Sequence, residues 1–123
     1  MRYDNIVDAV GDTPLVRLNR LTAPDDASVW VKLECLNPSG SVKARPAVNM
    51  VRAAERDGRL AQGAPVVEAT SGNLGIALAM VGAALGYPVK IMVDPRTPRF
   101  SVATIAAYGA EPIQVDEIGR AHV

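Results

Sequence analysis

Cysteine and histidine are almost missing: Cys35 and His122 are the only ones in 123 residues. A lone cysteine closes no internal disulfide, so a secreted scaffold stapled by bridges is not expected, and a reducing cytoplasm is the expected setting. His122 sits one residue from the last position and is expected to be exposed and non-catalytic. No metal site is expected. A surplus of charge of one sign is also lacking, because 13 basic residues balance 13 acidic ones. That removes the field expected of a nucleic-acid or anionic-membrane binder. Long hydrophobic runs are absent as well. The longest, Ile76 to Leu85, contains Gly82 and is too short to cross a bilayer, and Met1-Arg2-Tyr3-Asp4-Asn5 has no apolar stretch behind its charge. Neither an internal repeat nor a low-complexity segment divides the chain.

What remains suits one globular unit with a small-molecule ligand. Hydrophobic residues make up 49% and charged residues 21%, which excludes disorder and fibrous states on composition, and the length fits a single core.

Residues 1 to 20 read as a short amphipathic segment, a turn at Gly11-Asp12-Thr13-Pro14, and an extended Leu15-Val16-Arg17-Leu18. After the turn Ala23-Pro24-Asp25-Asp26, the run Val29 to Glu34 has the β-branched and aromatic content of a strand. A loop on Asn37-Pro38 and Gly40 leads into a helix that runs to about Arg56 and stops at Gly58. Ser41 is a good cap and Pro46 suits a first helical turn, so Lys43 falls either just before the helix or within its opening turn. From Pro65 the pattern is regular. Strand Val66 to Ala69, helix Leu74 to Leu85, strand Val89 to Val93, helix Ser101 to Tyr108 and strand Pro112 to Val115 alternate across glycine and proline turns. Such alternation predicts right-handed crossovers and an α/β fold with a doubly wound parallel sheet, covered on both faces.

Two segments carry chemistry. In Asn37-Pro38-Ser39-Gly40-Ser41-Val42-Lys43-Ala44-Arg45, a lysine stands at the mouth of a helix, where the positive end of the dipole favours the neutral, nucleophilic amine; Arg45 is expected to push the same way. An arbitrary lysine is a solvated surface group, so this reading depends on the surrounding run. In Thr70-Ser71-Gly72-Asn73-Leu74-Gly75, backbone N–H groups between a strand and a helix converge on an anion without a positive side chain. Taken alone, that loop could equally be a tight turn whose glycines relieve crowding. Arg52, Arg56 and Arg59 are expected on an exposed face with Glu55 and Asp57, and Met50, Met80 and Met92 in the core. Phe100, in a loop near two prolines and two arginines, is expected in ordinary packing, with a lid or contact residue as the alternative.

Together the two segments resemble the active site of the cysteine-synthase-like (fold type II, tryptophan synthase β-like) family of pyridoxal-phosphate enzymes. The similarity runs from Gly11-Asp12-Thr13-Pro14-Leu15 to Tyr108-Gly109-Ala110 in the expected order. It implies that Lys43 holds pyridoxal 5'-phosphate as an imine. It also implies that Thr70, Ser71, Gly72 and Asn73 bind the α-carboxylate of an amino-acid substrate, with Asn73 reaching the 3-hydroxyl of the cofactor ring. Residues 1–36 would be an arm and strand of a large domain, and 37–123 a small α/β domain. The partners implied are a second copy of the chain or a complementary C-terminal polypeptide.

The sequence departs from the usual pattern where Ala44 replaces an aspartate and Leu74 a threonine, which removes a hydroxyl from the loop. Ser71-Gly72-Asn73-Leu74-Gly75 followed by Met92-Val93-Asp94-Pro95 is more similar to the siderophore-pathway branch that makes N-(2-amino-2-carboxyethyl)-L-glutamate, a precursor of 2,3-diaminopropionate. The implied reaction is β-replacement on an activated L-serine, O-phosphoserine or O-acetylserine, by an amine such as L-glutamate. Lys43 would remove and return the α-proton. The family's phosphate-binding loop and pyridine-nitrogen partner come from sequence beyond the small domain, so the chain alone is expected to be inactive or nearly so.

Other readings are a cysteine synthase that uses sulfide and a binding or regulatory module that performs no chemistry. A nucleotide-binding domain is a further one, with Gly72 at a strand-to-helix turn and Asp94 placed as a ribose-binding acid. That last reading leaves the run from Asn37 to Arg45 unexplained.

Overall fold

The computed structural model describes residues 1–70 and 72–119. After a 3-10 turn Ile6–Ala9, β1 (Leu15–Arg17) and β2 (Trp30–Lys32) form an antiparallel ribbon, with Leu15 opposite Lys32 and Arg17 opposite Trp30. A second 3-10 turn, Glu34–Leu36, leads to α1 (Ala44–Arg56). Then β3 (Val66–Ala69), α2 (Asn73–Leu85), β4 (Val89–Val93), α3 (Arg99–Ala107) and β5 (Glu111–Gln114) alternate. The last three strands make one parallel sheet in the order β3-β4-β5, with Val66 beside Val89 and Lys90 beside Glu111. The expected α/β architecture with a parallel sheet is therefore present, and β3 and β4 have the expected bounds.

The core is built around α2. Its residues Gly75 through Gly82 are all buried, as a helix that is apolar on every side must be. Gly86, at φ 79°, closes the helix in the left-handed conformation that glycine adopts without strain. Gly75 lets α2 approach closely: a Cβ there would lie 3.1 Å from Ile91 of β4 and 3.2 Å from Ile105 of α3. Hence α2 and α3 share the face of the sheet that carries Val89, Ile91 and Val93. α1 packs beside α2 through Ala44, Ala47 and Val51. Its outer side bears the expected charges, with Arg52 paired to Glu55 at 3.1 Å, and Arg59 to Asp57 at 3.0 Å just beyond its end.

The opposite face of the sheet is open at Val67, Ala69 and Lys90. The second covering layer expected from the crossovers is not found among the described residues. Strands added in one direction place both right-handed crossover helices on the same side. Two side chains also differ from expectation. Met50 is 43% exposed and lines a groove of about 420 Å³ between α1 and β3, and Phe100 is 78% exposed at the start of α3. Met80 is in the core as expected. The ribbon likewise exposes Leu15, Val16 and Trp30, whereas Val7 of the first turn enters the core. His122 lies outside the described residues.

Candidate functional site

Lys43 is the cap residue of α1, which settles the choice left open by Ser41 and Pro46. Its carbonyl accepts the first helical bond from Ala47 N at 3.1 Å, and its own amide donates to Ser41 Oγ at 3.2 Å. The side chain is exposed. The chain has three lysines. Lys32 Nζ donates to the Thr13 carbonyl at 2.8 Å and Lys90 pairs with Glu111 at 3.2 Å. Among the described residues Lys43 has no such partner, so its amine is the one open to a ligand.

Arg45 is engaged elsewhere. Its guanidinium turns back onto Glu34, with Nε 2.8 Å from Oε2 and Nη2 2.9 Å from Oε1, so its charge is compensated. Thr13 Oγ1 donates to Glu34 Oε1 at 2.6 Å, Asn37 Nδ2 donates to Oε2 at 2.8 Å, and Asn37 Oδ1 accepts from Gly11 N at 3.0 Å. Sequence reasoning missed this cluster. Its one signal was a cation in the first turn of a helix with no acid there to offset the dipole, which calls for a carboxylate from elsewhere.

The Arg45 guanidinium, followed by the Thr13 hydroxyl, holds the Glu34 carboxyl down at about 2. Its value unfolded is near 4.5, so the stabilisation it brings is fully present above that pH and is lost as the pH falls through the folded value. Acid titration followed by circular dichroism should therefore show stability declining from about pH 4.5 towards about 2, and Glu34→Gln should flatten that part of the curve. A Gln variant with the same acid dependence as the parent would show that the cluster is not the source.

At the second segment, Thr70 N continues the sheet by donating to Met92 O at 3.1 Å, and Asn73 opens α2. Gly72 is the cap residue. It offers no side chain; its carbonyl accepts from Gly75 N at 3.0 Å, and among the described residues the amides of Asn73 and Leu74 have no partner. Asn73 is exposed and Thr70 half-buried. Among the described residues nothing lies within 4 Å of the Cβ that Gly72 lacks, so the space above it is open. Ser71 lies outside the described residues. Tyr87, just beyond α2, donates to Glu55 near the end of α1 at 2.7 Å, so the two helices end together and run side by side in the same direction. Their starts, at Lys43 and Asn73, therefore stand at the same end of the structure, where β3 leads into α2.

Asp94 is buried and occupied. Arg96 donates to it from Nη2 at 2.6 Å, Nε at 3.2 Å and its amide at 2.9 Å, and the Arg96 guanidinium holds its carboxyl below the usual range. An acid so engaged by its own loop is not offered to a ribose, which removes the support for a nucleotide site.

A helix start without a side-chain cap and an exposed lysine without a partner among the described residues stand at the C-terminal edge of the parallel sheet of an α/β domain. Residues 6–122 match the family model described as pyridoxal-phosphate dependent enzyme, and the chain belongs to that family. It is 48% identical over 109 residues to a probable cysteine synthase of Bacillus subtilis, covering 89% of this chain and 35% of that protein. It is 55% identical over 93 residues to O-ureido-L-serine synthase of Streptomyces lavendulae, covering 75% and 28%. The crystal structure of an O-ureido-L-serine synthase superposes with a TM-score of 0.87 at 44% identity, over 94% of this chain and 36% of that one. A lysine-to-alanine variant of such an enzyme with O-ureido-L-serine bound gives 0.86 at 43%, over 94% and 36%. The chain thus spans about a third of the length of these relatives.

The family's cofactor is pyridoxal phosphate. The residues present fit part of it: an exposed amine without a partner among the described residues, and open space with free amides over Gly72. Among the described residues no helix is long and apolar enough to cross a membrane.

Proposed function

We propose that this chain is the N-terminal portion, or a split subunit, of a pyridoxal-phosphate-dependent β-replacement enzyme acting on an activated L-serine. The observation that carries the reading is the free amine of Lys43 at the same end of the sheet as the uncapped start of α2. Bound to Lys43, the cofactor would supply an electron sink for a carbanion at the substrate α-carbon. Lys43 Nζ would take the α-proton and return it. The α2 amides, with Thr70, Ser71, Gly72 and Asn73, would hold the substrate carboxylate, and Asn73 would also bind the 3-hydroxyl of the cofactor ring. The lysine-to-alanine variant crystallised with O-ureido-L-serine supports a lysine whose removal leaves ligand binding in place. Residues 1–36 are read as an arm and strand of a large domain and 37–123 as the small domain. The exposed apolar ribbon supports this, because two isolated strands are marginal in water. A second copy or a C-terminal polypeptide would cover it.

We favour an amine such as L-glutamate as acceptor, with O-phosphoserine as donor, giving a 2,3-diaminopropionate precursor; the Ser71 to Gly75 run with Leu74 and the Met92 to Pro95 run support that branch. Sulfide is the second reading, supported by the cysteine synthase relative. That another relative is by name an O-ureido-L-serine synthase supports a family in which the acceptor varies. A non-catalytic module is the third, supported by the hydroxyl lost at Leu74.

Incubation with pyridoxal phosphate and O-phosphoserine or O-acetylserine, plus L-glutamate or sulfide, tests the proposal. The pure chain should not turn over, and adding a polypeptide that carries the rest of the family fold should restore turnover. The product mass then names the acceptor. Turnover by the pure chain would overturn the incomplete-site reading, and no product in any mixture would favour the module.

A further inference from the structure

The segment 37–45 carries Lys43, and both of its ends close on one carboxylate oxygen: Glu34 Oε2 accepts from Asn37 Nδ2 at 2.8 Å and from Arg45 Nε at 2.8 Å. We propose that Glu34, Arg45 and Thr13 are positioning residues for Lys43, latching the lysine-bearing loop to the N-terminal arm. The inference rests on the role proposed for Lys43 above.

An exposed ion pair by itself contributes little to stability, but this one is bidentate and its oxygens are shared with two further donors. Four separate parts of the chain meet there: Gly11 to Thr13, Glu34, Asn37 and Arg45. Arg45 Nη2 also donates to Thr13 Oγ1 at 3.1 Å, and the missing Cβ of Gly11 would lie 3.3 Å from Arg45 Nη1, so the arm lies directly over the guanidinium. Inside the loop, Gly40 has φ 77° with open space where its Cβ would be, and the Ser41 contact to the Lys43 amide is local. The latch thus sets where the cap residue of α1 points. A disordered latch would leave Lys43 chemically intact and poorly aimed.

Two readouts on the full chain test this, with Glu34→Gln, Arg45→Met and Arg45→Lys. Hydrogen exchange compares the amides of 39–45, within the segment 38–45, with the α2 core. Peptide mass spectrometry after pyridoxal phosphate and borohydride compares marking of Lys43 with that of Lys90. Glu34→Gln and Arg45→Met should each speed exchange in 38–45 by about tenfold, as losing a charge-assisted hydrogen bond does, and lower Lys43 marking relative to Lys90 to a similar degree. The double variant should be no worse than either single one. Arg45→Lys should not restore the parent behaviour, because a point charge cannot bridge both oxygens. Glu34→Gln keeps the shape and guards against simple unfolding. Changes spread evenly over the chain, or none in 38–45, would overturn the latch. Lack of preferential Lys43 marking in the parent, with the exchange effect intact, would overturn the cofactor reading instead.

Discussion

Lys43→Ala is expected to abolish the visible absorbance that pyridoxal phosphate acquires on joining a lysine amine. In an assembly that completes the site, it should lower β-replacement by roughly 10²–10⁴-fold, the range supplied by a positioned acid–base group. The size of the effect follows from what else is available. Lys32 is held by the Thr13 carbonyl and Lys90 by Glu111 on the open sheet face, so neither can substitute without breaking its own contact. The carboxylate seat proposed at the start of α2 should survive the change, because it belongs to a different segment. Ligand binding should therefore persist while colour and turnover are lost. Absorbance spectra of parent, Lys43→Ala and Lys90→Ala with added cofactor decide the matter. Colour retained without Lys43, or lost with Lys90, would remove the basis of the functional reading.

The parts legible in the sequence are those written in local patterns. β3 and β4 are β-branched runs bounded by glycine and proline, and α2 is an apolar run between Gly72 and Gly86, so their positions follow from short-range chemistry. Lys43 and the loop at Thr70 can be singled out as candidates from local patterns alone, a lysine near a helix start and a small-residue strand-to-helix turn. The position of Lys43 relative to the helix was not legible, since Ser41 and Pro46 offer competing starts. The Glu34 latch was hidden for a different reason. Glu34 reads as the end of a strand but lies in a 3-10 turn, and its partners Thr13 and Arg45 stand 21 and 11 residues away. Side-chain bonds over such separations leave no periodicity. Met50 and Phe100 mislead in the same manner, because hydrophobicity alone does not distinguish a core position from a surface left open.

Gly82 presents a conflict in which the two sides can be compared. Inside a helix, alanine is favoured over glycine by about 1 kcal/mol, so propensity alone makes Gly82→Ala stabilising. Packing opposes it. A Cβ at this position would lie 2.8 Å from the Tyr87 carbonyl oxygen and would overlap the Val89 side chain. Tyr87 cannot move aside easily: its amide donates to Gly82 O at 2.9 Å, its hydroxyl donates to Glu55 at 2.7 Å, and Val89 is already paired with Val66 in the sheet. Overpacking a fixed backbone costs about 1–3 kcal/mol, and contact with a carbonyl places this site at the upper end. Gly82→Ala should therefore lose roughly 1–2 kcal/mol net, and Gly82→Val, which gains less from propensity and adds two methyl groups, about 3 kcal/mol or more. Adding Val89→Ala to Gly82→Ala should recover only the share owed to the side chain, because the Tyr87 oxygen remains. Urea midpoints of the three variants measure these terms. A Gly82→Ala chain more stable than the parent would mean that α2 does not approach β4 as closely as the fold requires.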